Sequence, residues 1–156
     1  MNNEKNEVLE KAMSFQMDDV VQRYAQESDL PLEVARDHER ELKRYLALYA
    51  INPDKTYGMR GQIDKLWHTF LMFTKEYAAF CDCVAGTFIH HVPNTSIPKI
   101  GTRKEYEQFL DDYEKIYGEP APAELWPRIN KTTDMVVDCY GCSGCGVCGG
   151  VSCAVN

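Results

Sequence analysis

The chain has 156 residues, 17 Lys and Arg against 24 Asp and Glu, and a formal net charge of −7. That length fits one domain with a real core. The acidic balance sets the protein against nucleic acid and anionic membranes as partners, because both require clustered Lys and Arg.

The N-terminus, Met1-Asn2-Asn3-Glu4-Lys5-Asn6-Glu7, is polar and lacks the apolar stretch of a secretory signal. No apolar run reaches the roughly 18 residues of a membrane span. The expected compartment is therefore the cytoplasm. Residues 3–27 read as a first helix, with Val8, Leu9, Ala12, Phe15, Met17, Val20, Val21 and Tyr24 close to a 3.6-residue period. Ser28-Asp29-Leu30-Pro31 should stop it, with Asp29 as N-cap of the next helix and Pro31 in its first turn. Residues 32–50 place Val34, Leu42, Tyr45, Leu46, Leu48 and Tyr49 on one side, and Asn52-Pro53-Asp54-Lys55 reads as a turn.

Residues 61–84 predict a single helix with a broad apolar stripe of Ile63, Leu66, Trp67, Phe70, Phe73, Tyr77, Phe80, Cys81 and Val84, ended by Gly86. Residues 87–92 are β-prone and stop at Pro93-Asn94. A further helix spans residues 102–117, with Thr102 and Glu105 as a capping box and Gly118 closing it. Three prolines in residues 119–127 predict an extended segment that pins Trp126 to the body. Residues 130–138 link to the tail. The expected architecture is mainly α, a compact bundle of four or five helices over residues 1–138, followed by an irregular Cys/Gly-rich tail over residues 139–156.

Three strings stand out: Asp64-Lys65-Leu66-Trp67-His68-Thr69-Phe70, Tyr77-Ala78-Ala79-Phe80-Cys81 and Gly86-Thr87-Phe88-Ile89-His90-His91-Val92-Pro93. Together with Glu41-Leu42-Lys43-Arg44 and Leu125-Trp126-Pro127, they resemble bacterial members of the glycine-rich-domain-containing-protein-like family, over residues 30–126. The resemblance implies a helical domain often followed by a Gly- or Cys-rich tail, and it brings no enzymatic activity with it. Plant members of that family tend to show Trp-His-x-His. Phe70 stands at the second His position here, so a metal site built from that pair does not carry over.

Asp64 and His68, four apart on a helix, share a face and can hydrogen-bond. Such a pair serves either as a carboxylate orienting a metal-binding or proton-moving histidine or as a packing lock beside buried Trp67, and the packing role is the expectation here. On a straight helix His68 and Cys83 lie roughly 22 Å apart. The extended residues after the helix return at most roughly 17 Å. His90 and His91 should therefore reach the level of Tyr77 or Cys81, and His68 only with difficulty. Adjacent histidines of a strand point to opposite faces, so at most one of the two is expected as a ligand, the other reading being one packed against the helix and one solvated. Cys81 lies on the apolar stripe and reads as a small core residue, with Cys83 turned away from it.

The tail has no hydrophobic reason for its composition. Residues 139–156 hold five of the seven cysteines, five of the ten glycines and no charged side chain. Cys139, Cys142, Cys145 and Cys148 recur every third residue, and Cys153 follows. Glycine-interleaved Cys-x-x-Cys turns let thiolates converge, as in tetrahedral zinc sites and iron–sulfur clusters, and a reducing compartment favours that use over disulfides. The leading expectation is thus a small metal-binding protein. Its tail thiolates Cys139, Cys142, Cys145, Cys148 and Cys153 would coordinate zinc, an iron–sulfur cluster or another soft metal, with His90 or His91 as the contribution of the body.

Two alternatives come from other classes. The tail also fits the core of a ribosomally made, post-translationally modified peptide, in which case a modifying enzyme is the partner. An idle flexible tail on a helical interaction module, with a protein partner, is the other. Enzymatic readings find little support: there is no phosphate-cradling Gly loop and no nucleophile elbow, and Cys81 with His90 lacks an orienting third group.

Overall fold

The computed structural model describes residues 3–93, 95 and 103–128, and the backbone of Cys139–Cys142. Among these residues the protein is mainly helical, with six helices. They are α1 (Asn3–Ser14), α2 (Asp18–Glu27), α3 (Leu32–Ile51), α4 (Gln62–Met72), α5 (Thr74–Ala85) and α6 (Arg103–Tyr117). Three short strands, β1 (Gly58–Met59), β2 (His90–Pro93) and β3 (Cys139–Cys142), form one antiparallel sheet in the order β1-β3-β2. No described helix is long and apolar enough to cross a membrane. The predicted linker at residues 130–138 and the Thr102 cap lie outside the described residues, as do Cys145, Cys148 and Cys153.

Six helices arise where four or five are expected because two predicted helices are each broken in two. The first break falls at residues 15–17. Ser14 turns its hydroxyl back onto the Glu10 carbonyl at 2.7 Å, a local bond that competes with helix continuation. Phe15 then packs edge-on against Phe80, with ring centroids 5.2 Å apart, and buried Met17 becomes the N-cap of α2. Asp18 and Asp19 follow in the first turn, where the helix dipole favours acids.

The second break is at Phe73, which ends α4 and begins α5 with φ −90° and ψ 67°. Thr69 bonds back to the Lys65 carbonyl at 3.2 Å just before it. The change of direction is large. On a straight helix Trp67 and Tyr77 would be about 15 Å apart, yet Trp67 Nε1 donates to Tyr77 Oη at 3.1 Å. Phe70 meets both Tyr77 and Phe80 edge-on, at 5.0 and 5.6 Å. Beyond α5, Gly86 takes φ 65° as C-cap, and Gly118 takes φ 71° after α6, both as expected.

Elsewhere the local chemistry differs from the sequence reading in small ways. Pro31, not Asp29, is the N-cap of α3, and Asp29 instead adopts φ 51° in the preceding turn. The Asn52–Lys55 turn forms, with Lys55 N–H donating to Asn52 at 3.0 Å. The proline-rich segment is not extended throughout: Trp126 N–H closes a turn onto Pro122 at 2.8 Å.

Tyr45 of α3 sits at the centre of the core. It stacks on Trp126 at 5.7 Å and meets Trp67 and Phe109 at 5.8 and 5.1 Å. Trp126 is fully buried, and its indole N–H donates to the equally buried Glu41 carboxylate at 2.9 Å. The pinning of Trp126 to the body is thus achieved by ring packing on Tyr45 and Phe109 and by the bond to Glu41.

Candidate metal centre

Two elements build the site. α4 carries Asp64 and His68 one turn apart, with Trp67 between them turned fully into the core. β2 is brought to the same place by α5. The buried Tyr77 hydroxyl donates to the Ile89 carbonyl, and the Ile89 N–H donates to Cys81 Sγ at 3.4 Å. Both backbone groups of Ile89 are therefore fixed before the strand begins. Two residues on, and so on the same strand face, His91 lands on α4.

The result is a compact constellation. His91 Nε2 lies 3.0 Å from Asp64 Oδ1, and its ring meets Trp67 edge-on at 4.6 Å. His68 Nδ1 is 3.7 Å from Asp64 Oδ2, and the two imidazoles lie 4.4 Å apart between centroids. One ligand atom from each of Asp64, His68 and His91 can be chosen so that all lie within 4.8 Å of one another. Two ligand atoms on one tetrahedral zinc ion lie about 3.4 Å apart, so closing the widest gap of the cluster into a chelate takes a movement of about 1.4 Å. The His68 side chain, 56% exposed, is free to make it. Asp64 and His91 side chains are 9% and 7% exposed and are held from below. The site is rigid on its inner side and opens to solvent at His68.

This geometry corrects the expectation that His68 stays apart from the β2 histidines. That expectation took residues 61–84 as one straight rod, and the break at Phe73 removes the rod. The same geometry separates the candidates. His91 joins the cluster. His90 turns to the other face, its ring 5.0 Å from that of Phe88. Cys81 is buried in the core and does not meet the histidines; burial pushes its thiol up, away from the thiolate a metal requires. Cys83 is exposed.

Of the tail candidates, the structure describes the backbone at Cys139 and Cys142 only. They are the ends of β3, the central strand, where Cys139 pairs with both Met59 and Pro93 and Cys142 pairs with His90. Asp64 and His68 are the site residues that sequence reasoning left out of the ligand set. Their four-residue spacing was the available signal, and the missing piece was the return of His91.

What the fold and the cluster define is a small helical protein with a surface His₂–carboxylate set held between a helix and a strand. The chain belongs to the UCP032817-like family, whose model matches residues 5–111 and so includes α4 and β2. That match carries no glycine-rich designation. Comparison with curated proteins and with solved structures gives no match.

Proposed function

We propose that this is a metal-binding protein whose ion sits between α4 and β2 on Asp64, His68 and His91. The observation that carries the reading is the convergence of three ligand atoms from three residues within 4.8 Å. Two imidazoles and one carboxylate form a borderline donor set suited to zinc or a neighbouring first-row ion, and poorly suited to magnesium or calcium, which want oxygen. Three protein ligands leave at least one coordination position for water, a substrate or a further side chain. The tail cysteines, Cys139, Cys142, Cys145, Cys148 and Cys153, are a second set of candidate ligands for zinc or an iron–sulfur cluster.

Isothermal titration of the full chain with zinc, in reducing buffer and with magnesium as the hard-cation control, tests the body site. The expected result is zinc binding without comparable magnesium binding, and a loss of at least about tenfold in the affinity of that site in Asp64→Asn. An Asp64→Asn isotherm that overlays the wild-type one would overturn the reading. So would a wild-type chain that takes up no zinc.

A further inference from the structure

Zinc sites that only brace a fold are closed by four protein ligands, whereas sites that act on another molecule use three and keep a position open. The cluster on α4 and β2 brings together three donor residues, and its burial is lopsided. Trp67 beneath it is fully buried, and His91 meets that indole edge-on at 4.6 Å. The side chains of Asp64 and His91 are 9% and 7% exposed, against 56% for His68. Asp64 turns one oxygen toward each imidazole, Oδ1 to His91 Nε2 at 3.0 Å and Oδ2 to His68 Nδ1 at 3.7 Å. An ion gripped by all three therefore has protein on its α4–β2 side and solvent on its His68 side. The coordination position left over faces outward.

Charge decides what suits that position. Ligating imidazoles are neutral and Asp64 brings one negative charge, so a divalent ion keeps one net positive charge there. Neither element cancels it. Besides Asp64, the only Lys, Arg, Asp or Glu of α4 is Lys65, and β2 has none. Lys65 is exposed and stands three residues before His68, which makes the two neighbours on the helix surface. The loaded site is thus cationic in a chain whose formal net charge is −7. Water can fill the open position, but an anionic oxygen gains a charge–charge attraction that water lacks.

We propose that the open position binds an oxyanion, the carboxylate or phosphate group of a small molecule, as a replaceable ligand on the solvent side of His68. The proposal rests on the metal reading of Asp64, His68 and His91, and it gives that site a ligand class. Binding is a ligand exchange. The metal–water bond breaks, a lone pair on the anion's oxygen forms the new bond, and water leaves with both its protons. No electron is transferred. A three-ligand zinc site can expand to five-coordinate, so a second oxygen of the same anion can enter without displacing a protein ligand.

Cobalt(II) added to the full reduced chain without oxygen provides the test, because its visible d–d bands respond to each change among its ligands. The Asp64→Asn chain treated in the same way is the baseline, so that cobalt taken up elsewhere on the molecule cancels in the difference spectrum. The expected result is a wild-type-specific band that shifts saturably with acetate and with methylphosphonate, and a response to neutral acetamide at least about tenfold weaker in affinity. A shift with only one of the two anions also supports the proposal and says which oxyanion the site takes. A wild-type-specific band that neither anion moves would overturn the proposal while leaving the three-residue metal site standing. Equal affinities for acetate and acetamide would overturn it too, because charge would then not be what the position selects. No wild-type-specific cobalt band would remove both the metal reading and the oxyanion.

Discussion

His68→Ala separates a metal ligand from a packing residue more cleanly than any other change in the cluster. Without metal the His68 side chain has little to lose. It is 56% exposed, and its ion-pair partner among the described residues, Asp64, lies at 3.7 Å, beyond a good hydrogen bond. Exposed pairs four apart on a helix contribute about 0.3–0.5 kcal/mol. Alanine recovers a similar amount through its better helix propensity. The metal-free variant should therefore match the wild type to within about 0.5 kcal/mol. With zinc the comparison changes: at a free concentration 100 times Kd, an ion that binds only the folded state stabilises it by about 2.7 kcal/mol. For a chain of this size that is a rise in Tm of about 5–11 °C. The assay is scanning calorimetry of both proteins in chelator and in excess zinc. The expected outcome is equal Tm values in chelator and a zinc-induced rise confined to the wild type. A variant that melts several degrees lower in chelator, yet keeps the full zinc-induced rise, would refute the reasoning and return His68 to a packing role.

Two predictions concern the scaffold. Glu41 is fully buried and accepts hydrogen bonds from Trp126 Nε1 at 2.9 Å and from the Tyr113 hydroxyl at 3.0 Å. Glu41→Leu strands both donors, at about 1–3 kcal/mol each, so urea denaturation should show a loss of about 2–6 kcal/mol; a loss below about 1 kcal/mol would mean that the network is not what pins Trp126. His38 is buried, with Nδ1 2.8 Å from the Tyr24 hydroxyl, and burial pulls its pKa down despite neighbouring Asp37. The unfolded chain then takes up that proton first as pH falls. The His38 contribution to stability is therefore whole above the unfolded value of about 6.5 and is lost as pH drops through the lower folded value. His38→Gln should lose less stability than the wild type between pH 7.5 and 5, and equal slopes would rule His38 out as the cause.

Where local chemistry decides the structure, the sequence is easily read. α3 and α6 follow from their apolar periodicity, and Gly86 and Gly118 mark helix ends because left-handed backbone suits glycine. Cys81 inside and Cys83 outside follow from their two-residue spacing on a helix. The two broken helices were hidden for a physical reason. Phe15, Met17 and Phe73 continue the apolar stripe of the helices they interrupt, with no glycine or proline at the break. What ends α1 and α4 there is packing, such as Phe15 on Phe80, together with the Phe70 contacts that follow the change of direction. β1 and β3 pair Gly58–Met59 with Cys139 and Tyr140 across about 80 residues of chain, a separation that no local pattern records. His91 and Asp64, 27 residues apart, were hidden by the same distance.

The cluster is supported in a way that bears on how it would work. β2 is held to α5 by Tyr77 and Cys81 through the two backbone groups of Ile89. Tyr77 in turn receives the Trp67 indole N–H from α4. Burial raises both the Tyr77 hydroxyl and the Cys81 thiol, so each stays protonated and neutral across ordinary pH. Nothing in this chain of contacts is a proposed ligand, so α4 and β2 meet whether or not an ion is present. A metal arriving at Asp64, His68 and His91 need not organise the body, unlike the ion of a small zinc module whose binding energy is its folding energy. It spends little on ordering the helix, and its affinity goes instead into the exposed His68 side chain. The part of the body that such an ion would order is therefore the His68 side chain, which α4 already presents beside Asp64 and His91.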